Sequence, residues 1–284
     1  MNKVQQSFAP TFARLESGAI DFPKFGPAGN IMLRKHYFDQ VSFEHPAKAD
    51  INMIQSIYRY VAEPGETLLD IMSGTGTLML AALEGYNVIL LELAPIFHYY
   101  QQINKAKLVD QFGAEAGRIT SLLGDCREFL PMPCDHIIFS PPYAGTLNTA
   151  HSTKARSKTT QHLLLASTSG GGQQYNTDDY AFGPHNLGTL DPFRYNRDMA
   201  KIYALCYQSV RAGGTLTIII QDMMQSGERC ELSRPAAAAA CTAGFTLQDW
   251  FQRKVYGTPF KDLARSKGHE TVDEEDIIIL RRPL

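Results

Sequence analysis

Apolar residues come in short, regularly spaced blocks along the first half of this chain. Leu68-Leu69, Asn87 to Glu92, Arg118 to Leu123 and Asp135 to Phe139 are rich in Leu, Ile and Val. Blocks this short, bounded by turn-forming residues, predict buried parallel strands. Helical periods fill the gaps. Ile51, Ile54, Ile57, Tyr58 and Val61 mark one face of an amphipathic helix, started by Asp50 or Ala49 and ended by Pro64-Gly65. Leu78 to Glu84 and residues 94–112 read as two more helices. Strands alternating with helices predict an α/β fold built on a parallel sheet.

The second half continues the alternation. Tyr195, Met199, Ile202, Tyr203, Leu205 and Cys206 supply a helix that Gly213-Gly214 is expected to stop before a fifth strand, Thr215 to Ile220. A helix beginning near Ser233, with Pro235 in its first turn, ends at Gly244. Phe245 to Arg253 and Asp276 to Arg281 read as strands six and seven. Two stretches break the pattern. In residues 1–42, Phe8, Phe12, Phe22, Phe25, Tyr37 and Phe38 are scattered among Pro and Gly with no sustained period. That composition predicts an arm wrapped on the main domain, with nucleic-acid contact through Arg34, Lys35 and His36 as the alternative to packing alone. Residues 144–190 predict a flexible insertion: no acid occurs from His136 to Thr177, and Lys154, Arg156 and Lys158 cluster among Ser and Thr. An acid-free basic loop suits phosphate contacts, with a solvated insertion as the plainer reading.

The candidate chemistry lies just beyond the predicted strands. Ser140-Pro141-Pro142-Tyr143 follows the fourth, and its prolines cannot donate ladder hydrogen bonds, so the strand must stop there in a stiff turn. Ligands bind at the carboxyl ends of strands in an open α/β sheet. The turn offers a hydroxyl, the Pro141 carbonyl and an aromatic face, which suit a planar group carrying an NH2. Taken alone, the tetrapeptide could equally be a packed proline-rich loop. Upstream, Asp70-Ile71-Met72-Ser73-Gly74-Thr75-Gly76-Thr77 joins the first strand to a helix through a Gly-x-Gly turn. Met79 stands where a dinucleotide fingerprint has its third glycine, which weakens a pyrophosphate-binding reading. The second strand ends in Glu92, where a ribose-binding carboxylate would sit, and the third leads into Gly124-Asp125. Three strand-end acids followed by S-P-P-Y form one constellation.

With these motifs in this order, residues 43–284 resemble the S-adenosylmethionine-dependent amino-methyltransferases of DNA, in particular the cytosine-N4 type. The family's cofactor loop is matched by Asp70 to Thr77, with Ile71 and Met72 in place of its Pro and Phe. Its catalytic loop is matched by Ser140, Pro141, Pro142 and Tyr143. Its H-P-A-K stretch, which helps close the methionine end of the cofactor pocket, is matched by His45 to Lys48. The resemblance implies a Rossmann-like class I methyltransferase fold: a seven-stranded, mostly parallel sheet, helices on both faces, and an antiparallel seventh strand between the fifth and sixth. It implies S-adenosylmethionine as cofactor, with Glu92 on the ribose hydroxyls, Asp125 on the adenine amine, and Gly74, Gly76 and Thr77 at the methionine end. His45, Lys48, Asp70, Met72, Leu93 and Cys126 complete the implied cofactor set. It also implies double-stranded DNA as partner, with 144–190 used in target recognition through Lys154, Arg156 and Lys158. A cognate restriction endonuclease acting separately and a homodimer are both compatible with it.

Composition narrows the setting. The chain has 284 residues, 44% of them hydrophobic, and a formal charge of −2. No global basic field draws it to nucleic acid, so any such surface must be local. A second local basic cluster, Lys254, Lys261, Arg265 and Lys267, reads equally as another backbone clamp or as a solvated hairpin. Five cysteines with no C-x-x-C pair argue for a reducing compartment and against structural zinc. No run approaches the ~20 apolar residues of a spanning helix, and Met1 to Pro10 lacks the apolar core of a signal peptide. A cytoplasmic protein with no membrane partner is expected. Pro133-Cys134 resembles the nucleophile dipeptide of carbon-5 cytosine methyltransferases, but Cys134 precedes its strand, so a buried structural thiol is expected.

No metal or covalent intermediate is needed for the implied reaction. An exocyclic amine delocalises its lone pair into the ring. Accepting its N–H bonds at Ser140 Oγ and the Pro141 carbonyl would localise that pair and aim it. Tyr143 would stack on the base. Adenine-N6 methylation of DNA is the nearest alternative, RNA base methylation the next, and a non-catalytic nucleic-acid-binding protein the third.

Overall fold

The computed structural model describes residues 13–14, 19–21, 27–45, 48–144, 186–225, 228–254, 263 and 265–284. Lys154, Arg156, Lys158 and Lys261 lie outside the described residues. In chain order the strands and helices are β1 (Ala13–Arg14), β2 (Ala19–Asp21), α1 (Pro27–Tyr37), α2 (Ile51–Val61), β3 (Thr67–Asp70), β4 (Asn87–Glu92), α3 (Pro95–Phe112), β5 (Ile119–Leu123), α4 (Cys126–Phe129), β6 (Cys134–Phe139), α5 (Pro192–Ser209), β7 (Val210–Ile220), β8 (Met223–Gln225), β9 (Glu228–Cys230), α6 (Ser233–Thr242), β10 (Thr246–Lys254) and β11 (Glu274–Arg281). A 3-10 helix, Thr77–Glu84, joins β3 to β4.

One sheet runs β1-β2-β10-β11-β7-β6-β3-β4-β5. Its central part is seven-stranded and mostly parallel, and β11 lies antiparallel between β10 and β7. This is the Rossmann-like class I methyltransferase architecture. Strand order reverses beside β3: β4 and β5 extend one way, and β6 returns to its other side. The carboxyl ends of β3 and β6 therefore flank the crevice where ligands bind in such sheets.

Alternation along the strands divides the interior into two apolar layers. Leu68, Ile138, Ile277 and Ile279 join the layer that contains α2, while Leu69, Ile137, Phe139, Ile278 and Leu280 join the one that contains α5. Successive strand residues face opposite sides, so a continuous apolar run covers both faces. Each fully buried Leu or Ile contributes roughly 1.5–3 kcal/mol. At the amino ends of the strands, Arg211 pairs with Glu66 and Asp135, and His136 bonds Thr215 at 2.8 Å. This polar belt lies at the edge opposite the crevice and fastens the sheet.

Several sequence expectations give way here. The fifth strand begins at Val210 and runs through Gly213-Gly214, so the helix before it ends at Ser209. A Cβ on Gly214 would lie 2.1 Å from the Asp135 carbonyl oxygen, so that glycine serves a close approach of two backbones. The register shift between Cys134 and His136 falls at the same place. The connection after Asp125 contains the short helix α4. The amino-terminal stretch adds β1 and β2 to the sheet edge and folds into α1. Arg34 is only 2% exposed and cannot reach nucleic acid. Cys134 opens β6, is buried, and has its thiol pushed up to about 12 by burial, as befits a structural residue.

Candidate functional site

The carboxyl ends of β3, β4, β5 and β6 converge on a cavity of about 430 Å³. Asp70 at the end of β3 lines it with Met72, Gly74 and Thr77 just beyond, Glu92 at the end of β4 with Leu93 after it, and Asp125 and Cys126 at the start of α4 after β5. Ser140, Pro141, Pro142 and Tyr143 line it from the turn after β6, and His45 and Lys48 from the segment before α2. All four motifs singled out in the sequence thus face one space. Gly76 is the exception: it does not line the cavity. Its φ of 83° makes the turn, and a Cβ there would meet Met79 Cε at 2.7 Å.

The glycine loop is held from behind. Gln101 and Asn104, one turn apart on α3, are both fully buried. Gln101 Nε2 donates to the Gly74 carbonyl (2.6 Å) and to Ser73 Oγ (2.8 Å), and its Oε1 accepts from Ser121 Oγ (2.7 Å). Asn104 Nδ2 donates to the Thr75 carbonyl (2.9 Å), while its Oδ1 accepts from the Asp39 backbone N–H and Ser42 Oγ. Buried amides with their partners satisfied fix a loop more firmly than apolar contact does. Neither residue stood out in the sequence. The available signal was two amides three apart on a helix face that is otherwise apolar.

Two acids sit at the heart of the cavity. Glu92 is 6% exposed; Oε2 accepts from the Gly74 N–H (2.7 Å) and Oε1 from the Ala94 N–H (2.8 Å). Burial pushes its carboxyl up to about 7, against the pull of those backbone donors. The Leu93 N–H is a third backbone donor to the carboxylate, which leaves acceptor capacity for one further donor. Asp70 accepts from the Met72 N–H (3.1 Å) and is also raised to about 7, by burial and secondarily by the charge of Glu92. Asp125 differs. It caps α4 through the Arg127 N–H, and Arg127 engages both of its oxygens.

The turn after β6 is fixed by its aromatic residue. Tyr143 Oη accepts from the Gln221 backbone N–H at 3.2 Å, just beyond β7, and its ring packs on the apolar layer of α5. Burial raises the phenol to about 12. Tyr143 is therefore a set wall of the cavity, while Ser140 is exposed. In the segment before α2, the His45 ring lies 4.3 Å from that of Phe97, and Lys48 Nζ donates to the Phe43 carbonyl (3.2 Å) and to that of His45. A Cβ on Gly74 would meet His45 Nε2 at 3.1 Å, so a bare backbone there lets the imidazole close over the loop. Asn186 and Glu275 also line the cavity, unforeseen in the sequence. Glu275 is paired with Arg253 at 2.9 Å. In the second basic cluster, Arg265 is bound to Asp273 at 2.5 Å, the arrangement of a fastened hairpin.

Neither family models nor curated proteins match the chain. Solved structures do. The [4+2]-cyclase SpnF aligns at 14% identity and a TM-score of 0.51, covering 83% of this chain and 82% of its own. A structure described as SAM-dependent methyltransferases, from Methanosarcina mazei, aligns at 8% identity and 0.49, covering 80% and 97%. TehB from Haemophilus influenzae aligns at 11% and 0.49, covering 89% and 66%. At such identities the shared property is the fold.

Proposed function

We propose that this chain is an S-adenosylmethionine-dependent methyltransferase acting on an exocyclic amine of a nucleobase, cytosine N4 in duplex DNA. The observation that carries the reading is that Ser140 to Tyr143 opens onto the same cavity as Asp70, Gly74 and Glu92. The residues suit an adenosyl ligand. The volume lies within the roughly 300–1,000 Å³ of small-molecule sites. Glu92 keeps acceptor capacity for a ligand hydroxyl, at the strand end where a ribose-binding carboxylate would sit. When bound, the cofactor supplies a methyl group already activated by a positive sulfur.

The remaining work falls to the chain. Ser140 Oγ and the Pro141 carbonyl accept the amine N–H bonds, localise the nitrogen lone pair and hold it in line. Tyr143, anchored at Gln221, gives the base a flat wall. A base in a duplex must first be flipped out, at a cost of a few kcal/mol. Ser140 is a weak proton acceptor, so the amine proton leaves to solvent after transfer. Lys154, Arg156 and Lys158 supply the backbone contacts to DNA in this reading, since the net charge of −2 leaves no global attraction.

The test is methyl transfer into duplex DNA by Ser140→Ala beside the unaltered protein. Turnover is expected to fall by about 10²-fold with S-adenosylhomocysteine affinity unchanged. Equal loss of turnover and of cofactor affinity would show that Ser140 shapes the pocket and does not address the amine.

A further inference from the structure

The end of the cavity walled by Lys48, Ala49 and Thr77 has a cation built in behind it. Arg34, on α1, is 98% buried without lining the cavity itself. Its Nη2 donates to the Ala49 carbonyl at 2.6 Å and to Thr77 Oγ1 at 3.2 Å. Its Nη1 is buried and has no hydrogen-bond partner among the described residues. The guanidinium carbon lies 5.4 Å from the Phe38 ring centroid. A buried charged donor left unpaired is expensive, and such groups in native proteins call for an explanation. Asp50 is the acid that favours the Arg34 charge, but its carboxylate also caps α2 at the Met53 N–H (3.1 Å) and pairs with Arg253 (3.4 Å). Burial lowers Arg34 to about 10, which still leaves it protonated at neutral pH. Lys48 is lowered too, by burial and by the charge of Arg34. Two cations that disfavour one another at the same wall indicate that an anion belongs there.

The hydroxyl of Thr77 relays this polarity. A threonine has one proton to donate, and accepting from Arg34 leaves that proton for another partner. Thr77 is the member of the pair that faces the cavity. Asp70, Glu92 and Asp125 line the same cavity, so its lining carries acids as well as this cationic pole. We infer that Arg34 is a positioning residue that, through Thr77 Oγ1 and together with Lys48, makes this pole a carboxylate site for the amino-acid end of an adenosyl ligand. The inference rests on the cofactor reading given above. It also gives the amino-terminal segment a part in the cofactor site.

The experiment is calorimetric titration of the full chain with S-adenosylmethionine and with its decarboxylated form, which differs only in lacking the carboxylate. The unaltered protein should prefer S-adenosylmethionine by roughly 10- to 100-fold, the effect of a charge-assisted hydrogen bond. Arg34→Met should abolish that preference while leaving affinity for the decarboxylated compound unchanged, and Arg34→Lys should restore part of it. Equal binding of both compounds by the unaltered protein, or equal weakening of both in Arg34→Met, would overturn the assignment. If Arg34→Met fails to fold, the unaltered protein and Thr77→Val carry the test, and Thr77→Val should lower the same preference. A protein that bound neither compound would overturn the cofactor reading itself, and this inference with it.

Discussion

Glu92 couples the cavity to pH. Burial raises its carboxyl from an ordinary value of 4.5 to about 7, so the neutral form is favoured in the folded, ligand-free chain. Ionising it costs stability, and the ligand-free protein loses this group's contribution as pH rises from about 4.5 through about 7. A ligand that donates hydroxyls to the carboxylate favours the charged form instead. S-adenosylhomocysteine affinity should therefore rise as pH climbs through about 7 and fall below it. Glu92→Gln should bind more weakly above that pH and show a shallower pH slope, with Asp70 supplying the remainder. Calorimetry from about pH 6 to about pH 8 reads this directly, and identical slopes would remove Glu92 from the ligand's hydroxyls. Tyr143 makes a second residue-scale prediction. Tyr143→Phe leaves the Gln221 N–H unanswered, which should cost about 1 kcal/mol and lower the melting temperature by about 2–4 °C. Turnover should drop while cofactor affinity holds, since the phenol anchors the turn after β6 and not the glycine loop. An unchanged melting temperature would show that the bond contributes nothing.

At the scale of elements, α3 is the support on which the glycine loop depends. Gln101→Leu would strip partners from the Gly74 carbonyl and from the hydroxyls of Ser73 and Ser121. It should destabilise the fold by about 2–3 kcal/mol and weaken S-adenosylhomocysteine binding as well. Urea denaturation followed by titration checks both effects; a variant with normal stability and affinity would contradict the role given to α3. This support carried only a faint signal in the sequence, because a polar residue on a helix normally marks the solvent side. The strands were far more legible. Asn87 to Glu92 coincides with β4, a short apolar run, and the helix read over 94–112 is α3, which opens on Pro95 and is capped by Gly113. The end of α5 was misread because Gly213-Gly214 looks like a helix stop, whereas Gly214 is needed where β7 crowds the Asp135 carbonyl. The hairpin of β8 and β9 and the edge strands β1 and β2 were missed because two- and three-residue strands carry no period.

Taken as a molecule, the chain places Asp70 to Thr77, Glu92, Asp125 and Ser140 to Tyr143 at one end of a Rossmann-like sheet and a structural polar belt at the other. That placement follows from connectivity, since parallel strands all deliver their following loops to the same edge. Asp70, Glu92, Asp125 and Ser140 were therefore readable from the sequence as lining one cavity. The place of Arg34 was not readable, because nothing local in α1 reveals that its guanidinium is buried behind Thr77. The reaction proposed for this edge is decided by its product. Labelled S-adenosylmethionine is incubated with the protein and unmodified duplex DNA, and the DNA is digested to nucleosides and resolved by mass spectrometry. Label in N4-methylcytosine is the predicted result. Label in N6-methyladenine alone, or in RNA with DNA left unmarked, would contradict it.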